Sequence, residues 1–199
     1  MQGSRGRRAV AQDAHTTARR GRRRERGAVL VEAVLIIPVI VLLTFGAMEF
    51  GFAFNEQGDI RAATRSAGRA ASTQPKAPND VFEQAAIDAL NGTAGNLPNA
   101  TPTFALVYDS EDGAFEPSSR DECVGNCMVF EWIGDEFTKN GTATWDPVDR
   151  AACAGASDRV GVFLEAHHDF ITGLFGGGGL DLTARTVMAL EPFPGADCA

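Results

Sequence analysis

The stretch RGAVLVEAVLIIP, residues Arg26–Pro38, stands where a basic head meets a long apolar run. Residues 1–27 hold nine arginines against Asp13 and Glu25, which is a net charge of +7, so with −8 overall the rest of the chain carries −15. The head is poor in large apolar residues and is predicted to be a disordered leader. The stretch therefore separates a basic leader, residues 1–27, from everything that follows it.

The apolar run has the length of a membrane helix. From Ala28 to Phe54 the only charged residues are Glu32 and Glu49, and the sixteen residues between them are uncharged. A spanning helix needs about 20 mostly apolar residues, so residues 28–54 are predicted to cross a bilayer. The arginine excess on the N-terminal flank predicts a cytoplasmic N-terminus and an extracytoplasmic remainder. The long head and the missing small-residue cleavage site argue against a secretory signal peptide, but an uncleaved signal anchor stays open.

The helical pattern continues beyond the apolar run. Three arginines recur every four residues and share one face: Arg61, Arg65 and Arg69. Small and apolar residues line another face: Ile60, Ala63, Ala67 and Ala70. We predict one helix from Ala28 to Ala71, about 66 Å long at about 1.5 Å per residue, with a kink where Pro38 frees the carbonyl of Val34. Residues 55–74 would form its amphipathic continuation and a linker.

Residues 75–199 predict a small extracytoplasmic α+β domain. Asn79 or Asp80 can cap a helix over Val81–Asn91, which Gly92 would stop. Alternation and strand propensity predict five strands: Thr103–Tyr108, Cys127–Ile133, Thr142–Trp145, Arg159–Phe170 and Leu180–Leu190. We expect an antiparallel sheet with the outer half of the long helix laid across it. The predicted fold class is α+β.

All four cysteines fall in the part that is predicted to be exported: Cys123, Cys127, Cys153 and Cys198. An even number outside the cytoplasm predicts two disulfides, and the sequence leaves their connectivity open. The spacing of Cys123 and Cys127, together with His167 and His168, also permits a zinc site. An oxidising compartment disfavours that alternative.

Several polar clusters could carry chemistry, but each has a simpler interpretation. On a strand, Glu165, His167 and Asp169 would share one face and His168 would lie on the other. No Ser or Cys nucleophile motif accompanies this cluster, and solvent-facing polar positions explain it. The acidic turn at residues 109–116 lacks EF-hand spacing, and Gly176–Gly179 lacks the frame of a phosphate-binding loop. Glu49 is interpreted as the outer boundary of the membrane helix, with a contact to a partner protein as the alternative. The sequence therefore predicts no cofactor, no metal and no enzyme activity.

At Gly27–Pro38 the sequence resembles the TadE-like pilus assembly proteins, which are pseudopilins of the tight-adherence (Flp-type) secretion system. The matching features are the basic leader, Gly27 followed by a small residue, Glu32, and the apolar helix with Pro38. Residues 168–176 and 180–192 also look like the end of such proteins. Residues 75–158 match no family that we can name.

The resemblance implies cleavage after Gly27 by a membrane prepilin peptidase, which would make Ala28 the new N-terminus. Glu32 would then be the fifth mature residue, on the helix face of the new ammonium and about 6 Å along the axis. A carboxylate in an apolar helix needs a partner, and pairing between neighbouring subunits would set their axial register. The competing interpretation of Glu32 is an ordinary interfacial charge.

Together these features predict a minor pilin or pseudopilin in the cell membrane, with a single pass. The implied partners are the prepilin peptidase, other pilins, the pilus assembly platform and the lipid bilayer. The alternative is a membrane-anchored extracytoplasmic binding or enzymatic domain with an uncleaved anchor. Nucleic-acid binding by the arginine head would require the head to survive processing, so no nucleic-acid partner is expected.

Overall fold

The structure is a computed structural model that describes residues 7–173 and 178–193, with side chains described from Gly27 onward. The chain divides after Met48 into two compact units. The first unit is helical, and the second contains a sheet together with the rest of the same helix.

The first helix, α1, extends from Arg7 to Ser72 and includes Pro38. It begins within the basic head, where arginine and alanine are both strong helix formers. The disordered leader over residues 1–27 stays a prediction. In the part of the chain that the structure describes, α1 is the one helix long and apolar enough to cross a membrane. The kink expected at Pro38 stays a prediction.

The described residues of the second unit form seven strands: β1 Ala100–Asp109, β2 Cys127–Ile133, β3 Glu136–Asn140, β4 Ala152–Cys153, β5 Ala156–Ser157, β6 Arg159–Asp169 and β7 Gly179–Ala189. Five of them form an antiparallel sheet in the order β3-β2-β1-β6-β7, while β4 and β5 pair separately. In the central strand, Leu106 lies opposite Val129 on one side and Phe163 on the other. The predicted α+β class with an antiparallel sheet is confirmed.

The strand predicted at Thr142–Trp145 is wrong. The third strand is β3, which pairs with β2 across a turn whose residues Gly134 and Asp135 both have positive φ, 62° and 70°. Such turns favour glycine and aspartate and match the twist of a hairpin. Trp145 instead lies fully buried in a loop, with its ring 6.0 Å from that of Phe82 in an edge-to-face contact.

The second helix, α2, extends over Asn79–Ala94, beyond the predicted Val81–Asn91 at both ends. Gly92 does not stop it; a glycine costs a helix only about 1 kcal/mol, and Leu90 and Ala94 are buried on either side of it. Asn79 does not cap the helix with its side chain. Its Oδ1 instead accepts a hydrogen bond from Nη2 of Arg150 at 2.6 Å.

The C-terminal part of α1 packs on the sheet through small residues. Four are fully buried: Ile60, Ala63, Ala67 and Ala71. The hydroxyls of Thr64 and Thr186 lie 3.0 Å apart, and a Cβ on Gly68 would lie 3.4 Å from Sδ of Met188. The predicted small-residue face is the packing face at Ile60, Ala63 and Ala67, whereas Ala70 is only partly buried and Ala71 is buried instead. The arginine face is exposed.

Candidate functional site

The predicted processing and assembly segment, Gly27–Pro38, lies on an open helix surface. A Cβ placed on Gly27 would meet no atom within 4 Å. Ala28 and Glu32 are exposed, and Glu32 forms no ion pair with any residue that the structure describes. The carboxylate of Glu32 is therefore accessible to another molecule.

Around Glu32 the helix presents large apolar side chains in every direction. Val29 is 63% exposed, Leu35 68% and Leu43 69%. Soluble surfaces rarely carry apolar patches of this extent, which mark contacts with membranes or other proteins. This helix fits a single-pass membrane anchor.

Two buried carboxylates on α1, Glu49 and Glu56, form a second constellation. They are seven residues apart, which places them on one face of the helix, and each is only 1% exposed. The two carboxylate oxygens of Glu56 contact different residues. Oε2 lies 2.5 Å from Nδ1 of the fully buried His168, and Oε1 accepts the backbone N–H of Asn99 at 2.7 Å.

Glu49 holds the turn that follows β6. Its Oε2 accepts the backbone N–H of Ile171 at 3.1 Å, and its Oε1 accepts the N–H and the hydroxyl of Thr172 at 2.5 and 2.6 Å. Hydrogen bonds to a carboxylate are about twice as strong as neutral ones. The alternative of a partner-protein contact at Glu49 is therefore wrong, because this chain's own turn occupies the carboxylate.

The two adjacent histidines have opposite environments. His168 faces α1, so the expectation that this polar cluster points to solvent is wrong for it. His167 is exposed on the other face of β6, and its Nδ1 lies 2.6 Å from Oδ1 of Asp181. That hydrogen bond to Asp181 raises the pKa of His167.

Nε2 of His168 is buried and has no hydrogen-bond partner among the described residues. A neutral ring with its proton on Nδ1 leaves only a lone pair unsatisfied there, which costs less than an unpaired N–H. We therefore assign that tautomer, in which Nδ1–H donates to Glu56.

The described residues contain no group of three His, Cys, Asp or Glu side chains that could hold a metal ion. The zinc alternative is wrong because Cys123 and Cys127 are joined in a disulfide. Cys153 is disulfide-bonded as well, and Cys198 lies outside the described residues. Gly176 and Gly177 of the glycine run also lie outside the described residues. At Gly179, an added Cβ would lie 2.3 Å from the carbonyl oxygen of His168.

Arg150 is a further residue that the sequence did not single out. It is fully buried, stacks on the ring of Phe82 at 4.1 Å, and donates to the carbonyls of Pro75 and Ala77 at 3.1 and 3.0 Å. Burial lowers the pKa of its guanidinium. These contacts fix the linker between α1 and α2, so Arg150 has a structural role.

A long apolar helix that leads into a disulfide-bonded antiparallel sheet defines a helix-anchored α+β protein. Residues 27–69 match the family model described as TadE-like protein. This segment of the chain is therefore similar to TadE-like proteins. No curated protein and no solved structure matches the chain.

The matched range begins at Gly27 and ends three residues before the end of α1. It therefore covers the exposed apolar stretch, Glu32, and the two buried carboxylates. The resemblance that we noted at residues 168–176 and 180–192 lies outside the match and stays a prediction.

Proposed function

We propose that the chain is a minor pilin or pseudopilin of a tight-adherence type pilus or secretion system. It inserts with its N-terminus in the cytoplasm and its sheet domain outside, and a prepilin peptidase removes residues 1–27. It has no catalytic activity of its own. The observation that carries this proposal is the exposed Glu32 on an apolar helix, without an ion-pair partner among the described residues, within the range that matches the TadE-like model.

The processing step gives Glu32 a potential partner. Cleavage after Gly27 creates an ammonium at Ala28, one helical turn before Glu32 on the same face. A carboxylate in the bilayer costs a few kcal/mol unless it is paired, so the mature helix can lower this cost within one chain or between neighbouring subunits. Pairing between subunits would fix their axial stagger. Other pilins, the assembly platform and the lipid bilayer are then the partners of residues 28–54.

The remaining segments have distinct roles under this proposal. Residues 55–74 connect the membrane helix to the domain, and residues 75–199 are displayed outside the cell. The acidic net charge and the disulfides of this part suit an extracytoplasmic location.

N-terminal sequencing of the protein in the membrane fraction tests the proposal. The expected mature N-terminus is Ala28, and an intact start at Met1 or Gln2 would instead identify an uncleaved anchor. Gly27→Phe should abolish processing, while Gly27→Ala should permit it. Since a Cβ at Gly27 meets no atom within 4 Å, a difference between these variants reports recognition by the peptidase rather than a disturbed helix.

Glu32→Ala separates processing from assembly. We expect this variant to be inserted and cleaved but to be lost from purified pili or secretion complexes. Glu122→Ala, which removes a carboxylate from an exposed site in the second unit, is the matched control and should assemble normally. Normal incorporation of Glu32→Ala would disprove the assembly role of this carboxylate.

A further inference from the structure

The contacts of α1 with the sheet follow a consistent order along the helix. Glu49 contacts Ile171 and Thr172 in the turn after β6, Gln57 donates to the carbonyl of Thr183 at 2.8 Å, and the carbonyl of Ser72 accepts from Glu191 at 2.9 Å. The helix and β7 therefore run in the same direction. Residues 170–173, which follow β6, lie at the end of the second unit that contains Glu49.

The carboxylate that binds this turn belongs to Glu49, the residue that directly follows the apolar run in the chain. The backbone N–H groups of the turn are bound to the carboxylate of Glu49, and the side chain of Ile171 is 55% exposed. We infer that the turn at Phe170–Gly173 rests on the outer surface of the bilayer, with Ile171 in contact with lipid. This inference rests on the membrane anchoring in the proposed function and adds a second lipid-contacting element to it.

Two considerations place the membrane boundary at Glu49 rather than at Phe54. The twenty residues Val29–Met48 extend about 30 Å at about 1.5 Å per residue, which is the thickness of the hydrocarbon core. A boundary at Phe54 would draw the turn and the neighbouring Asp169, whose side chain is 76% exposed, into hydrocarbon. Polar backbone and charged groups do not remain there unpaired.

Exposed apolar side chains argue against a membrane boundary closer to the N-terminus than Glu49. A boundary well before Glu49 would leave Phe45 and Met48, which are 40% and 50% exposed, in water. With the boundary at Glu49, the exposed Phe50, Phe52 and Phe54 lie in the headgroup region, where aromatic side chains are favoured. The carboxylate of Glu49 is then bound by the turn where the helix leaves the hydrocarbon.

Tryptophan fluorescence in vesicles of phosphatidylcholine with brominated acyl chains tests the inference on the full chain. An added tryptophan in contact with lipid loses emission to bromine and shifts to shorter wavelength. The signal of the native Trp132 and Trp145 is subtracted by measuring the unsubstituted protein. We expect Ile171→Trp to be quenched most strongly by lipid that is brominated close to the glycerol backbone.

Two further variants calibrate the measurement. Leu42→Trp, in the apolar run, should be quenched by lipid that is brominated deep in the chains. Val148→Trp should keep its emission, because Val148 is 85% exposed and lies far from Glu49, near the C-terminal end of α1. Its position there is shown by the preceding residue, Pro147, whose carbonyl accepts a hydrogen bond from Lys76.

Each pattern of results decides the question. An unquenched Ile171→Trp beside a quenched Leu42→Trp overturns the inference and leaves the anchor intact. If Leu42→Trp is not quenched either, the membrane anchor and the inference fail together. Equal quenching of Ile171→Trp and Val148→Trp also overturns the inference, because the domain would then lie on the lipid without a defined orientation.

Discussion

Glu56→Ala should strongly destabilise the second unit. The substitution removes the acceptor of two buried donors, the Nδ1–H of His168 and the backbone N–H of Asn99. Each unsatisfied buried donor costs about 1–3 kcal/mol. For the two donors together we therefore expect a loss of about 2–6 kcal/mol, which is a large share of the roughly 5–15 kcal/mol that stabilises a typical domain.

Urea unfolding of the full chain in detergent micelles measures this loss. Fluorescence of the buried Trp145 reports the second unit, and at a slope of about 1–3 kcal/mol per molar urea the midpoint should fall by roughly 2 M. Glu56→Gln keeps an oxygen for Asn99 and offers an amide N–H to His168, whose Nδ1 can accept once its proton moves to Nε2. Because the buried Nε2–H then has no partner among the described residues, this variant should lose about 1–3 kcal/mol, less than Glu56→Ala.

Asp59→Ala is the control on the same helix, since its one hydrogen bond among the described residues is a 3.5 Å contact with Asn55. It should change the free energy of unfolding by less than about 0.5 kcal/mol. If Glu56→Ala and Asp59→Ala prove equally stable, the buried contacts of Glu56 do not stabilise the domain, and our reasoning about this pair is refuted.

Three other substitutions test separate features of the second unit. Gly161→Ala should lower the urea midpoint markedly, because a Cβ there would lie 2.2 Å from the ring of the buried Tyr108; an unchanged midpoint would contradict this packing. Asp181→Asn should bring the pKa of His167 back towards its ordinary value, as measured by NMR titration of the ring. The contact with Asp181 raises the pKa of His167 in the folded state. It therefore stabilises the fold fully below about pH 6.5, and this stabilisation is lost as the pH rises through the folded-state pKa. The Asp181→Asn variant should lack this pH-dependent stabilisation. Gly68→Ala should be neutral or slightly stabilising in the same urea assay. The added methyl would lie 3.4 Å from the flexible Met188 and at an ordinary contact distance of 3.6 Å from Thr186, and alanine favours a helix by about 1 kcal/mol.

The elements that the sequence predicted well have local periodic signals. The sixteen uncharged residues before Glu49 predicted the apolar helix, and alternation predicted β2 and β6 to within a residue or two of their bounds. The prediction of a strand at Thr142–Trp145 was wrong because a short run of residues that favour strands does not show whether those residues are buried in a strand or in a loop. Trp145 is buried in a loop, and the positive-φ turn at Gly134-Asp135 was the stronger signal for the third strand.

The buried carboxylates show why the rest was harder to predict. Glu49 meets Thr172, and Glu56 meets His168, across sequence separations of 123 and 112 residues, so no local pattern could have paired them. One signal was nonetheless present in α1: Glu49, Ala53, Glu56 and Ile60 fall on one helical face, and all four are buried. An acidic residue on the packing face of a helix needs an internal donor. Under the proposed function, the same reasoning distinguishes Glu32, which lies among exposed apolar side chains, as a carboxylate whose donor would come from another molecule or from the N-terminus that cleavage would create.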